Sequence, residues 1–145
     1  MLQTDSAKIH LAYIETSYGH WILIFGSMLS DFTPLINLFN DLSTGEKRYC
    51  ELHHESYIIP HDDIEVTIKS FPEKYSFNSL QQKSDSLVFE WFCSPDEWDD
   101  CKEKIIFLSD DSPNAAHQYF SSHDNTETLV VVSRGEYSED IQFLF

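Results

Sequence analysis

The apolar residues of this chain recur at every second position in several short runs, and this alternation constrains the fold more than any other feature. In residues 7–14, AKIHLAYI, the large side chains of Ile9, Leu11 and Tyr13 occupy alternate positions. The turn-forming segment TSYG follows, and a second apolar run, HWILIF, begins directly after it. Two such runs separated by a turn predict a β-hairpin at the start of the chain.

The same pattern predicts further strands. Residues 46–54 and 62–69 form two of them, with Pro60 between them, and residues 86–93, SLVFEWFC, form a third that is rich in aromatic residues. The segments TLVVVS and DIQFLF predict a terminal hairpin. The strand at 62–69 separates two sets of side chains, with Ile64, Val66 and Ile68 on one face and Asp63, Glu65 and Thr67 on the other.

Three segments carry helix signals. The segment SDFTPLINLFNDLSTG has a cap residue at Ser30, an early proline and a stop at Gly45. The segment SPDEWDDCKEK has a cap at Ser94, proline at the first helical position and acids in the first turn, where the helix dipole favours them. Ser112 and Pro113 predict a third, short helix over NAAHQYFSS. The apolar face of the first helix consists of Leu35, Leu38, Phe39 and Leu42.

These elements predict one α+β domain spanning residues 1–145, with a mainly antiparallel sheet and about three helices. A length of 145 residues suits one domain with a sizeable core, and no repeat or linker-like run divides the chain. The residues predicted to be largely buried are Ile9, Leu11, Trp21, Leu38, Phe39, Phe89, Trp91, Trp98, Val130 and Val132.

The charge of the chain limits its partners. The 25 acidic residues against 9 basic ones give a formal net charge of −16, while a hydrophobic content of 41% is enough for a folded core. Because nucleic acids and anionic membranes are bound through basic surfaces, neither is expected as a direct partner. The acidity instead favours a cationic partner.

The N-terminal sequence and the cysteines predict the compartment. MLQTDSAKIH lacks the succession of basic, apolar and small residues of a secretion signal, and the apolar run WILIFG is too short to span a membrane. The three cysteines, Cys50, Cys93 and Cys101, are odd in number and lack CxxC spacing, which predicts reduced, buried thiols. A cytoplasmic location is therefore expected.

The segment CELHHESYIIPHDD, residues 50–63, holds three histidines, four acids and a cysteine. If residues 48–55 form a regular strand, His53 and His54 point to opposite faces of the sheet and cannot both bind one ion. The spacings HExxH and HxH are missing from the segment. The expectation is therefore a polar edge strand with solvent-exposed histidines and no metal.

Chemical alternatives for this segment stay open. A Cys–His pair could include Cys50, although the surrounding acids raise a cysteine pKa and oppose thiolate formation. The chain also lacks GxSxG, P-loop, GxGxxG and DFG motifs. We therefore predict no catalytic residue, no bound metal, no cofactor and no enzymatic activity. The alternative nitrogen and oxygen site, suited to zinc or manganese, would use Glu51, His53, Glu55, His61 and Asp63.

The acidic residues are concentrated in the C-terminal part of the chain. Residues 1–83 carry a net charge of −5 and residues 84–145 carry −11. At about 100° per residue, the helix from Pro95 places Trp98, Cys101 and Ile105 on one stripe and carboxylates on the opposite one. Such a face is either a solvated helix surface or an interface. The predicted partner-binding residues are Asp96, Glu97, Asp99, Asp100, Glu103, Asp110 and Asp111.

In size, acidity and composition the whole chain resembles the immunity proteins that neutralise bacterial toxins, including those of contact-dependent growth inhibition systems. The resemblance implies a small cytoplasmic inhibitor whose partner is a basic toxin domain, with a nuclease as the expected kind. An acidic surface can occupy the basic cleft of a nuclease in place of the phosphate backbone. Two alternatives stay open: a small acidic adaptor or structural subunit, and a metal-dependent hydrolase that uses His53 and His61.

Overall fold

The structure is a computed structural model in which two α-helices and nine strands are described. The described residues are 8–17, 19–26, 29–72, 78–83, 86–108, 116–120 and 128–135. The helices are α1 (Thr33–Thr44) and α2 (Pro95–Leu108), and two short 3₁₀ turns cover Leu29–Phe32 and Leu52–His54. The strands are β1 (Ile9–Thr16), β2 (Gly19–Gly26), β3 (Tyr49–Glu51), β4 (Ile58–Pro60), β5 (Glu65–Ser70), β6 (Asn78–Gln82), β7 (Val88–Cys93), β8 (Ala116–Phe120) and β9 (Thr128–Arg134).

The strands form two sheets, with the orders β4-β1-β2-β9-β8 and β3-β5-β7-β6. The predicted α+β class is therefore confirmed. The prediction of a mainly antiparallel sheet is wrong, because β1 with β4, β2 with β9 and β5 with β7 are parallel pairs, so that both sheets are mixed. Alternation of apolar residues shows which face each side chain occupies, but it carries no information about the direction of the neighbouring strand.

The predicted N-terminal hairpin is confirmed. β1 and β2 pair antiparallel, with His10 opposite Phe25 and Ile14 opposite Trp21. The run WILIF belongs to a strand that is apolar on both faces, since Ile24 contributes to the main core while Phe25 belongs to a second buried cluster on the other face. A strand covered on both faces appears in sequence as a continuous apolar run.

Helix α1 ends where the sequence predicts and begins differently. It stops at Gly45, whose φ of 87° is the left-handed conformation that glycine adopts most easily. The predicted cap at Ser30 is wrong, because Ser30 lies in the preceding 3₁₀ turn and the capping position falls on Phe32, without a side-chain cap bond. The predicted apolar face is buried at Leu35, Leu38, Phe39 and Leu42.

The third predicted helix is wrong where the structure describes it, because residues 116–120 form β8. This strand pairs antiparallel with β9, and Phe120 is buried in the core. Pairing with an available sheet edge outweighs the local helix signal of Ser112 and Pro113, since intrinsic propensities are small beside tertiary contacts. The strand TLVVVS is confirmed as part of β9, while its predicted partner DIQFLF lies outside the described residues.

Two strand predictions between α1 and α2 need correction. The strand predicted at 46–54 is short, because β3 ends at Glu51 and a 3₁₀ turn follows. Pro60 does not separate strands but ends β4, at the edge of the first sheet, where a missing N–H is tolerated. The predicted strand at 62–69 is confirmed only from Glu65, where β5 begins, with Ile64, Val66 and Ile68 buried. Asp62 and Asp63 have positive φ and lie in the preceding turn, so Asp63 is not on the outer face of the strand.

One apolar core gathers side chains from both sheets and both helices. Trp98 of α2 lies at its centre, with its ring centroid 5.3 Å from Phe39 and 4.8 Å from Trp91. All the residues predicted to be largely buried are confirmed except Trp21, which is only partly buried and contacts Tyr119 edge-on. Of the described helices, neither has both the length and the apolar character that crossing a membrane requires.

Candidate functional site

The N-terminal end of α2 is built as its sequence predicts. The carbonyl oxygen of Ser94 accepts hydrogen bonds from the N–H groups of Glu97 and Trp98, at 3.0 and 3.1 Å. The Ser94 hydroxyl donates to the carboxylate of Asp96 over 2.7 Å. Asp96 therefore contributes to the local structure of the helix start, where a carboxylate is favoured by the helix dipole.

The two stripes predicted on α2 are confirmed. Trp98, Cys101 and Ile105 are buried in the core, and Leu108 continues the same stripe at the end of the helix. The opposite stripe is exposed to solvent, with Glu97 at its border and half-buried. The exposed acids of this stripe are Asp96, Asp99, Asp100 and Glu103.

Asp99 already has a partner within the molecule. Its carboxylate lies 3.0 Å from the ammonium of Lys102, one turn further along α2. The same ammonium donates to the side-chain oxygen of Asn40 in α1, over 3.2 Å. Asp99 and Lys102 therefore form a link between the two helices, and Asp99 is less available to a binding partner than its exposure indicates.

A cleft of about 560 Å³ lies between α2 and β8. Glu97, Asp100 and Glu103 contribute three carboxylates to its lining, and Lys104 contributes an ammonium group. Lys104 is held on β8, because its ammonium donates to the carbonyl of Tyr119 over 2.9 Å and lies 5.3 Å from the ring centroid of Phe120. The lining of the cleft is thus acidic on balance.

Two phenylalanines, Phe107 and Phe120, line the cleft with these carboxylates. Phe107 lines the cleft and is 73% exposed, the most exposed of the large hydrophobic residues that the structure describes. Ile106 and Tyr119 are also exposed, at 41% and 44%. Exposed aromatic groups beside charges are typical of the centres of protein interfaces, where a few anchor residues supply most of the binding energy.

The structure thus divides the predicted partner-binding set. Glu97, Asp100 and Glu103 come together at the cleft, whereas Asp96 and Asp99 do not line it. Asp110 and Asp111 lie outside the described residues. Phe107 and Phe120 were not among the predicted residues, although a phenylalanine on an otherwise acidic helical stripe, as at position 107, is a signal that could have indicated an interface.

The histidine pair of residues 50–63 differs from its prediction. His53 and His54 do not point to opposite faces, because a 3₁₀ turn replaces the strand there and brings their ring centroids to 4.3 Å. One donor atom from each of Glu51, His53 and His54 lies within 4.8 Å of the others. His53 is buried, His61 is half-buried and His54 is exposed, so the prediction of solvent-exposed histidines holds only for His54. The regular strand that would keep His53 and His54 from binding one ion is therefore not formed there.

His61 has a different neighbour. Its Nε2 lies 2.9 Å from Nδ1 of the buried His10, whose ring stacks on Phe25 at 4.7 Å. Asp63, predicted as a possible ligand beside His61, has a positive φ of 60°, which places it in a tight loop. The structure thus gives His61 a role in the contact between β1 and the loop after β4.

All three cysteines are free and buried, as the sequence predicts. Burial, followed by the nearby carboxylate of Glu55, raises the pKa of Cys50 from 9.0 to about 12. The Cys50 thiol donates to that carboxylate over 3.5 Å. Burial, followed by the neighbouring Cys101 thiol, also raises the pKa of Cys93. These environments oppose formation of a nucleophilic thiolate.

Comparison with known proteins gives this chain no relative: no family model, no curated protein and no solved structure matches it.

Proposed function

We propose that this protein is a cytoplasmic inhibitor of the immunity-protein type, which binds and neutralises a strongly basic toxin domain, with a nuclease as the expected kind. The observation that carries the proposal is the acidic cleft between α2 and β8, where Glu97, Asp100 and Glu103 lie beside the exposed ring of Phe107. Lysine and arginine side chains of the partner would enter the cleft, and Phe107 would pack against their aliphatic parts or a neighbouring apolar group.

The charge of the whole molecule supports the same mode of binding. A formal net charge of −16 attracts a basic domain before contact and raises the association rate. Close, desolvated charge pairs at such an interface couple by roughly 1.5 to 7 kcal/mol each. We therefore expect a few cleft residues to dominate the affinity, while acids elsewhere act mainly on the association rate.

The first experiment identifies the partner. A tagged copy of the protein is used to capture proteins from cells of its source at low salt, and the captured proteins are identified by mass spectrometry. We expect a basic domain that arrests growth when expressed alone and does not arrest it when this protein is co-expressed. If co-expression protects cells from none of the captured basic proteins, the proposal is contradicted.

The second experiment locates the interface on that partner complex. Changing Glu97, Asp100 and Glu103 together to lysine changes the net charge from −16 to −10, so the protein remains strongly acidic. We expect affinity to fall more than about 10-fold, the effect of losing one close charge pair of about 1.4 kcal/mol. Phe107→Ala should weaken binding without changing its salt dependence.

A matched control carries the same charge change elsewhere. Its three reversed acids are Glu15, Asp41 and Glu46, which do not line the cleft. This variant also has a net charge of −10, so it should slow association modestly and leave the dissociation rate unchanged. Equal loss of affinity in both variants would show a non-specific charge effect. A neutral partner that both variants capture equally well would favour the adaptor alternative.

A further inference from the structure

We propose that Glu51, His53 and His54 form a binding site for a divalent transition-metal ion, with Zn²⁺ as the expected ion. The site lies where β3 gives way to the 3₁₀ turn, on the side of β5. It is independent of the acidic cleft and of the function proposed for it. No ion is needed to explain the fold, so the site is inferred from the placement of its donor atoms.

The 3₁₀ turn brings the two histidine donors close together. Consecutive residues of a strand point to opposite faces, but the turn Leu52–His54 places the two imidazoles side by side, with centroids 4.3 Å apart. Leu52 of the same turn is fully buried, which anchors the backbone from which both rings project. One nitrogen of each histidine therefore lies within 4.8 Å of the other and of a Glu51 oxygen.

The distances between donor atoms suit one small ion. Glu51 Oε1 lies 3.2 Å from His54 Nδ1, close to the separation of about 3.3 Å that two ligands with bonds of ~2.0–2.1 Å have in a tetrahedral site. The nearest donors of Glu51, His53 and His54 all lie within 4.8 Å of one another. The set is two nitrogens and one oxygen, which leaves the fourth position of a tetrahedral ion to water. Glu65 Oε1 lies beside the set, 3.9 Å from His53 Nε2.

The environment of His53 leaves Nε2 as the nitrogen available to a metal, because Nδ1 faces the backbone of Val66. Its side chain is only 6% exposed, and Nδ1 faces the backbone of Val66, at 3.0 Å from the nitrogen and 3.3 Å from the carbonyl oxygen. Without metal, the Val66 N–H donates to Nδ1, and the ring proton is on Nε2. With metal on Nε2, the proton moves to Nδ1, from which it donates to the carbonyl oxygen of Val66, as metal-bound histidines commonly do. The Val66 N–H then loses its acceptor, so metal binding must outweigh the loss of that hydrogen bond.

The donor types select the ion. Imidazole nitrogen with carboxylate oxygen suits zinc and its neighbours in the first transition series, whereas magnesium and calcium prefer sets of oxygen atoms. The carboxylate of Glu51, with that of Glu65 nearby, also offsets the charge of a divalent ion. His54 and Glu51 are partly open to solvent, with side chains 68% and 41% exposed, so an ion can reach the site in the folded protein.

The test is Zn²⁺ binding to the full, untagged chain, measured by isothermal titration calorimetry with Mg²⁺ as the comparison ion. We expect one Zn²⁺ per chain and no binding of Mg²⁺. His54→Ala and Glu51→Gln, both at partly exposed positions, should each weaken Zn²⁺ binding more than about 10-fold, since removing even an indirect support of a ligand costs that much. Circular dichroism confirms that each variant remains folded.

Two histidine variants serve as controls, and one spectroscopic readout tests the ligand role of His53. His117→Ala and His61→Ala should leave the affinity for Zn²⁺ unchanged, the second because the His10–His61 contact is separate from the site. On addition of Zn²⁺, ¹⁵N NMR should show the ring proton of His53 moving from Nε2 to Nδ1. The proposal is overturned by the absence of stoichiometric binding, by loss of binding in His61→Ala with retention in His54→Ala, or by a His53 tautomer that Zn²⁺ leaves unchanged.

Discussion

At the scale of single residues, Gly45 and Cys50 occupy positions whose physical requirements are well defined. Gly45 has the positive φ that ends α1, and a Cβ atom added there would meet no other atom within 4 Å. Its substitution therefore changes backbone energy without creating a clash. Cys50 is a buried thiol beside a carboxylate, so its position favours the uncharged, protonated side chain.

We predict that Gly45→Ala lowers the free energy of unfolding by about 1–2 kcal/mol, the cost of placing a side chain in the left-handed region. Urea unfolding followed by circular dichroism measures this change. Glu46→Ala, at the next exposed position, should change stability by less than about 0.5 kcal/mol. Equal effects of the two substitutions would show that the left-handed conformation of Gly45 does not affect the stability of the protein.

Cys50 should make the protein less stable at alkaline pH. Its pKa is raised in the folded state from 9.0 to about 12, so folding favours the protonated thiol. This contribution is fully present below about pH 9 and is lost as pH rises through the folded-state value, because the unfolded chain then releases the proton first. Between about pH 9 and pH 12, the free energy of unfolding should fall less steeply with pH in Cys50→Ala than in the parent. Urea titrations at each pH measure the free energy of unfolding. If it falls equally steeply with pH in the parent and the variant, the raised pKa of Cys50 is contradicted.

At the scale of elements, His53 replaces the strand backbone where β3 ends. β3 pairs with β5 only as far as Glu51, opposite Thr67, and the next donor on β5, the N–H of Val66, bonds to the ring of His53 instead. A side chain thus completes the edge of the ladder while the main chain turns away. Buried N–H groups that lose their acceptor are costly to the fold.

We predict that His53→Ala destabilises the protein by about 1–3 kcal/mol, the cost of leaving a buried donor unsatisfied. Thermal and urea unfolding in the presence of a metal chelator measure this, so that ion binding makes no contribution. His54→Ala is the matched control, because its ring is exposed, and it should change stability by less than about 0.5 kcal/mol. A larger loss in His54→Ala than in His53→Ala would contradict the structural role of the Val66 contact.

At the scale of the whole molecule, self-repulsion accompanies the net charge of −16. We predict that the melting temperature rises when NaCl is increased from about 0.01 M to about 1 M, because the screening length falls from about 30 Å to about 3 Å. The variant with Glu97, Asp100 and Glu103 changed to lysine should gain less from salt, since its net charge is −10. A melting temperature that is flat or falls with salt would show that local ion pairs outweigh the overall repulsion.

Much of the local structure follows from the sequence by itself. The hairpin of β1 and β2, the strand β5, the start of α2 and the end of α1 each depend on neighbouring residues, through period-two alternation, capping or a left-handed glycine. The same holds for the acidic and apolar stripes of α2, because helical geometry relates residues a few positions apart. The charge of the chain is likewise a property of sequence alone.

Only the tertiary structure decided features that depend on residues distant in sequence. Residues 116–120 became a strand because the edge of β9 was available, and parallel pairing followed from which strands met in space. The cleft exists because β8 lies beside α2, so that Phe120 joins the carboxylates of a helix earlier in the chain. Where a strand was predicted, a 3₁₀ turn brings two histidines together, and His53 contacts Val66 of β5. In each case a long-range contact contributes more free energy than the small local preference that the sequence pattern records.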